Sequence, residues 1–161
     1  MENINKLELP IKNPAKFMPH SGKMVLIDEI IQFDKNSLTA SAKINKEHIF
    51  LDGRDEFSSV LGLEIMAQGV ACYAGIGNYL NGEKVRLGFL LGTRKLNIHQ
   101  EKIKLGTQLV VLVKKSWSGD GMGLFDCTLA KQTADDLTEI MNAALNVYSP
   151  NDEQMNSLLG K

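Results

Sequence analysis

The longest uninterrupted apolar stretch of the chain is residues 60–80, VLGLEIMAQGVACYAGIGNYL. It spans about five helical turns and holds one carboxylate, Glu64, and no basic side chain. A helix that is apolar all round is a buried one. Ser58 or Ser59 can cap its start, and Asn81-Gly82 ends it. Runs of a different period flank it. Residues 24–33 (MVLIDEIIQF) read as a strand, and residues 37–44 (SLTASAKI) alternate as its hairpin partner across an Asp-Lys-Asn turn. Residues 45–57 form a charged loop. Four strand-like runs follow the helix at residues 85–99, 108–117, 123–131 and 139–148, with Leu-Gly-Thr, Ser-Gly-Asp-Gly-Met-Gly and Thr-Ala-Asp-Asp-Leu as turns.

The order is two strands, one long apolar helix, then four strands. It predicts an α+β fold in which an antiparallel sheet curls round the helix, a hot-dog layout. Gly62, Gly69, Gly75 and Gly77 on the helix, and Gly88 and Gly92 on the following strand, would allow close helix-to-sheet contact. Three segments are expected: an irregular stretch over residues 1–23, punctuated by Pro10, Pro14 and Pro19; a hot-dog domain over residues 24–149; and a polar tail over residues 150–161, loose or a short helix. A sheet of this kind has an exposed edge, so a homodimer or a pairing with a related subunit is expected.

Composition narrows the class. At 161 residues the chain is long enough for one real core. Its formal charge is -1, spread evenly in both signs, which favours neither nucleic acid nor an anionic membrane as partner. Cys72 in the helix and Cys127 in a strand read as small buried hydrophobes of a reducing compartment. No zinc-ligand spacing is present, and no metal or cofactor is implied. The first residues, MENINKLELPIKNP, have no basic region or apolar core, and do not read as a signal peptide. The apolar helix is long enough to span a bilayer, but Glu64, Gln68, Asn78 and four glycines argue for burial inside a protein, and the expected location is the cytoplasm.

Glu64 is the first chemical candidate. A carboxylate among apolar residues is costly unless partnered, and its pKa tends to rise, which suits a general acid. Near a helix start it could equally serve the free amides and the dipole. Gln68 lies one turn on, on the same face. Two polar groups on one face of a buried helix imply a polar cavity or a subunit seam.

With Glu64–Gln68 (EIMAQ) on the central helix, the chain resembles the beta-hydroxyacyl-[acyl-carrier-protein] dehydratases. Those enzymes carry a Pro-His element before the first strand, matched by Pro19-His20, and a strand that often ends in aspartate, as in VLIDEI with Asp28. Their helix carries Glu-x-x-Ala-Gln, matched by Glu64, Ala67 and Gln68. The run GFLLGTR at residues 88–94 is similar to the aryl-polyene-cluster branch, also described as predicted 3-hydroxyacyl-ACP dehydratases. The resemblance covers roughly residues 15–150. It implies a dimer that takes thioesters of acyl carrier protein and removes water from a 3-hydroxyacyl chain, with the helix glutamate, here Glu64, as the acid. The family's base is usually a histidine in a Gly-His-Phe-Pro-Gly loop. This chain has HIFLDGRDEFSSV instead, and Ser58-Ser59 replaces the Pro-Gly at the helix start.

The reaction needs a base for the α proton, an acid for the departing hydroxyl and donors for the enolate-like oxygen. Amides near Gly62 at the helix start can polarise the thioester carbonyl. Three histidines are available. His20 lies in a glycine-flanked loop, as a base or a loop anchor; His48 precedes the helix, as a base or a solvated loop residue; His99 reads as surface. Arg94 and Lys95 could meet the phosphopantetheine phosphate or an acidic carrier protein, or be a solvated strand edge. Lys114 and Lys115 read as ordinary strand lysines, and Asp52-Gly53-Arg54 as a structural turn. Three functions stay open: a 3-hydroxyacyl thioester dehydratase, a non-catalytic or half-site partner of a heteromeric dehydratase, and a hot-dog thioesterase in which Glu64 activates water.

Overall fold

A computed structural model of the chain describes residues 7–47, 53 and 55–160. Its centre is helix α1, Gly62–Leu80. Around it closes a six-stranded antiparallel sheet in the order β1-β2-β6-β7-β8-β4. The strands are β1 Glu29–Phe33, β2 Ser37–Lys43, β4 Phe89–Ile98, β6 Gln108–Gly119, β7 Met122–Gln132 and β8 Leu137–Tyr148. A second, two-stranded sheet pairs β3 Glu56–Ser58 with β5 Lys102–Lys104. Helix α2, Asp152–Leu158, closes the chain behind a capping box made by Asn151 and Gln154.

Each strand alternates, and one face of the sheet meets the helix. Leu38, Ala40 and Ala42 of β2, Leu109, Val111 and Val113 of β6, and Phe125, Cys127 and Leu129 of β7 all point inward and are buried. Ile65, Met66, Cys72 and Ile76 of α1 meet them. The helix lies close. A Cβ on Gly69 would come 2.9 Å from Val113, and one on Gly62 would come 2.6 Å from Met141 Sδ. On Gly75 it would come 1.9 Å from the backbone oxygen of Phe17, so the turn before β1 is seated directly on the helix backbone. Gly77 faces open space. Residues 59–80 have the length and composition of a membrane span, but half of the most apolar window is buried inside the fold. Both cysteines are buried free thiols, pushed up to about 12 by desolvation.

Several boundaries differ from the sequence reading. The first strand does not begin at residue 24. Met24 closes a 3-10 turn, and the Leu26 N–H is bonded to the Gln68 side chain rather than to β2, so the ladder starts only at Glu29. Residues 85–88 likewise precede β4. Gly92 makes no close contact with the helix; its φ of 150° is what its position demands, beside a bulge in the β4–β8 ladder. Neither serine caps α1. Ser58 ends β3, Ser59 opens a 3-10 turn, and the helix starts at Gly62 with no side-chain cap. The strands β3 and β5 fall where a loop and a connection are expected, because three residues are too few to show a period. The turn expectations hold: Asp120 and Gly121 both take positive φ between β6 and β7.

Close approach at one glycine and space at its neighbour make a paired test. Gly75→Ala should destabilise the fold by about 1–3 kcal/mol or more, since backbone must move. Gly77→Ala should stabilise it by roughly 0.5–1 kcal/mol through the helix interior. Urea denaturation of the two variants beside the parent chain measures both.

Candidate functional site

The site is built on one stripe of α1. Glu64, Ala67, Ala71, Ala74 and Asn78 recur at three- and four-residue steps and border one cavity of about 150 Å³. Pro19 and His20 enter from the turn before β1, Arg86 and Gly88 from the segment before β4, and Val147–Ser149 from the end of β8. The small side chains of the stripe leave the space; Glu64 and Asn78 make its two ends polar.

At the Glu64 end three side chains form a chain of contacts. Gln68 is fully buried, and every polar group it owns is used. Its Oε1 accepts the Leu26 N–H at 2.8 Å, and its Nε2 donates to the Met24 carbonyl at 2.6 Å and to Glu64 Oε1 at 2.9 Å. His20 Nε2 meets the same carboxylate oxygen at 3.2 Å. Glu64 itself is less enclosed than a buried acid would be, its side chain 33% exposed and that of His20 28%; the fully buried polar residue of the helix is Gln68. His20 Nδ1 is buried and has no hydrogen-bond partner among the described residues. Nε2 is therefore the nitrogen open to the cavity.

The other sequence candidates fall elsewhere. His48 lies outside the described residues, as do Asp52 and Arg54. Gly62 is packed against Leu129 and Met141, and its N–H turns back on the carbonyls of Ser59 and Val60. It does not border the cavity, because the 3-10 turn before the helix consumes the amide that a free N-terminus would offer. Arg94 and Lys95 are exposed on β4 and border neither cavity described here. His99 is a surface residue paired with Glu139 at 3.0 Å. Asn78 and Arg86 were not anticipated. The first was signalled by the i, i+3, i+4 stripe that begins at Glu64; Arg86 carries no local pattern. Among the described residues no cluster of His, Cys, Asp and Glu could hold a metal.

A wider groove of about 660 Å³ continues along the C-terminal half of α1. It shares Val70, Ala74, Asn78, Arg86, Val147 and Ser149 with the first cavity. Its walls include the rings of Phe33, Tyr73 and Phe125, with Tyr73 and Phe125 edge to face at 5.6 Å between centroids. Two adjoining, mostly apolar cavities therefore lie along α1, with the imidazole–carboxylate contact at one end.

The ApeP-like family, described as ApeP dehydratase, matches residues 12–159. The chain belongs to the ApeP-like dehydratases. A chain of the dehydratase heterocomplex ApeI:P from Xenorhabdus doucetiae is similar over 96% of this chain and 100% of its own, at 22% identity and a TM-score of 0.84. More distant structures share the hot-dog fold. The PaaI protein of the E. coli phenylacetic acid degradation operon is 11% identical, with a TM-score of 0.56 over 74% of this chain and 80% of its own. A hypothetical thioesterase of Streptococcus pneumoniae TIGR4, solved with coenzyme A, is 13% identical, with a TM-score of 0.57 over 76% and 85%. No curated protein sequence matches. The dehydratase reading of the sequence thus stands, and this ApeP-like dehydratase is a lyase on the hot-dog fold.

The role of Gln68 is open to a direct measurement. Gln68→Leu leaves the Leu26 N–H and the Met24 carbonyl without their partner, which should cost about 2–4 kcal/mol. Denaturant unfolding gives the loss, and amide exchange at Leu26 should accelerate more than exchange in β6.

Proposed function

We propose that this ApeP-like dehydratase removes water from a 3-hydroxyacyl thioester carried on acyl carrier protein, in fatty-acid-like or polyene synthesis in the cytoplasm. The observation that carries the reading is the contact between His20 Nε2 and Glu64 Oε1 at the mouth of an apolar passage. His20 is the base and Glu64 the acid. Neutral Nε2 takes the α proton of the thioester. The electron pair of that C–H bond forms the new double bond, and the β-carbon–oxygen bond breaks. Glu64 in its acid form gives its proton to the departing hydroxyl, which leaves as water. The pair is then imidazolium and carboxylate, and transfer of the Nε2 proton to Oε1 across the existing contact restores it. Asn78 stands about 20 Å further along the helix than Glu64 and lines the end of the cavity away from the reacting carbons. The wider groove accepts the acyl chain.

A heteromeric enzyme is the second reading, and one observation favours it. Strand β4 is open along its length. A related hot-dog subunit would cover the strand. In that assembly Glu64 and His20 serve a site shared between two chains. The similar ApeI:P chain comes from a heterocomplex.

Glu64→Gln keeps the shape and removes the transferable proton; His20→Ala removes the base. Each should lower kcat/KM for a 3-hydroxyacyl thioester by about 10²–10⁴-fold, with the far-UV circular dichroism of the parent. Formation of the conjugated enoyl thioester is the readout. Undiminished turnover in Glu64→Gln would return Glu64 to a structural role. Turnover by the purified chain alone supports the self-sufficient enzyme, whereas turnover only after addition of a second hot-dog subunit supports the shared site.

A further inference from the structure

The helical repeat divides α1 between its two cavities. Glu64, Ala67 and Ala71 border the smaller one alone, and Tyr73, Gly77 and Leu80 border the wider groove alone. At about 100° of rotation per residue, these two sets lie on faces roughly 150° apart. Val70, Ala74 and Asn78 border both cavities and fall between the two faces. They stand at i, i+4 and i+8, so their side chains follow one another along a single ridge. The ridge is uneven. Val70 is buried, Asn78 is half-buried, and Ala74 between them is exposed, with a single methyl group for a side chain. Val147 and Ser149, at and just after the end of β8, also border both cavities. The cavities therefore adjoin along this ridge, and the ridge is lowest at Ala74.

We propose that Ala74 determines the length of acyl chain this dehydratase accepts, by leaving an opening through which a long chain crosses from the cavity beside His20 into the wider groove. The inference rests on the dehydratase reading above and adds the residue that sets chain length. Volume supplies the argument. An apolar cavity of about 150 Å³ takes a guest of about six carbons, and the cavity beside His20 is of that size. A four-carbon 3-hydroxyacyl group fits it, whereas a twelve-carbon one leaves about half of its carbons without a place. The groove of about 660 Å³ has room for them, between the rings of Phe33, Tyr73 and Phe125. With His20 and Glu64 fixing the reacting carbons at one end, the rest of the chain reaches the groove across the ridge. A larger side chain at position 74 would join those of Val70 and Asn78 into an unbroken wall. A chain confined to the smaller cavity then forfeits the burial of each methylene beyond it. Ala74 is exposed, so such a side chain fills open space, and leucine keeps the helix propensity of the site.

The test compares 3-hydroxybutanoyl and 3-hydroxydodecanoyl thioesters of pantetheine on the parent chain, Ala74→Leu and Ala71→Leu. Ala71 borders the smaller cavity and not the groove, so its leucine crowds the cavity and should lower kcat/KM for both substrates by similar factors. Ala74→Leu should lower kcat/KM for the twelve-carbon substrate at least about tenfold more than for the four-carbon one, with the far-UV circular dichroism of the parent. Ala74→Met takes its place if leucine unfolds the chain. Three results would overturn the proposal and leave the dehydratase reading intact: equal losses at the two lengths in Ala74→Leu, the same length selectivity in Ala71→Leu, or a parent that turns over the short substrate and not the long one. If the parent turns over neither, alone or with a second hot-dog subunit, the dehydratase reading fails and binding decides. Calorimetry with dodecanoyl pantetheine, which lacks the 3-hydroxyl, should show binding to the parent that Ala74→Leu weakens at least about tenfold; no binding to the parent, or equal binding to both, overturns the proposal.

Discussion

One buried amide governs the arrangement of this protein. Gln68 sits in the middle of a helix that is otherwise packed with apolar and small side chains, and a primary amide in such a place must have every donor and acceptor matched. It obtains two of its three bonds from the backbone at Met24 and Leu26. The cost of leaving the amide unpaired exceeds the gain of extending a strand by a few residues, so the chain before β1 leaves the sheet and lies along the helix. Pro19 and His20 are carried with it, and the third bond fixes Glu64 one turn away. The contact of His20 with Glu64 is thus a consequence of where an uncharged neighbour had to find partners.

The second constraint is the distance between helix and backbone. The fold brings Phe17 so near α1 that position 75 admits no side chain. The same helix keeps its cavity open by carrying alanine at 67, 71 and 74. Packing is dense on the face toward β2, β6 and β7, where Ile65, Cys72 and Ile76 are fully buried, and sparse on the stripe that begins with Glu64. A helix with two such faces places the Glu64 carboxylate at the rim of a cavity whose walls cannot collapse into it, because they belong to a close-packed scaffold.

The order of elements was readable because it depends on period: a 3.6-residue apolar helix among two-residue alternations leaves few folds. Glu64 and Gln68 were readable for a related reason, since polar groups in apolar surroundings demand explanation, whereas His20, in the polar loop PHSGK, stood level with His48 as a candidate base. What escaped the sequence was set by competition between distant groups. The start of β1 depended on Gln68, 42 residues from Leu26. The helix start depended on a 3-10 turn that pre-empts the serine caps and spends the Gly62 amide. Arg86 belongs to the cavity only because β8 and the segment before β4 converge there. Arg94, a candidate for the substrate, proved to lie on the outer edge, where alternation alone cannot tell a pocket-facing cation from a solvent-facing one.

The placement of His20 and Glu64 also bears on assembly. Glu64 and His20 remain about a third exposed in the single chain, and water at a carboxylate–imidazole pair weakens each electrostatic interaction that a proton transfer relies on. The remedy is cover, and the segment before β4 and the first residues of that strand, Gly88 and Leu90, border the same cavity as His20. A chain docked along β4 would therefore reach the margin of that cavity. Binding there would dry the pair and order its walls at once, so that the free energy of association contributes to the environment in which the proton moves. An edge strand left open on both faces is costly for a protein that works alone; for one half of an assembly it joins partner recognition to completion of the site.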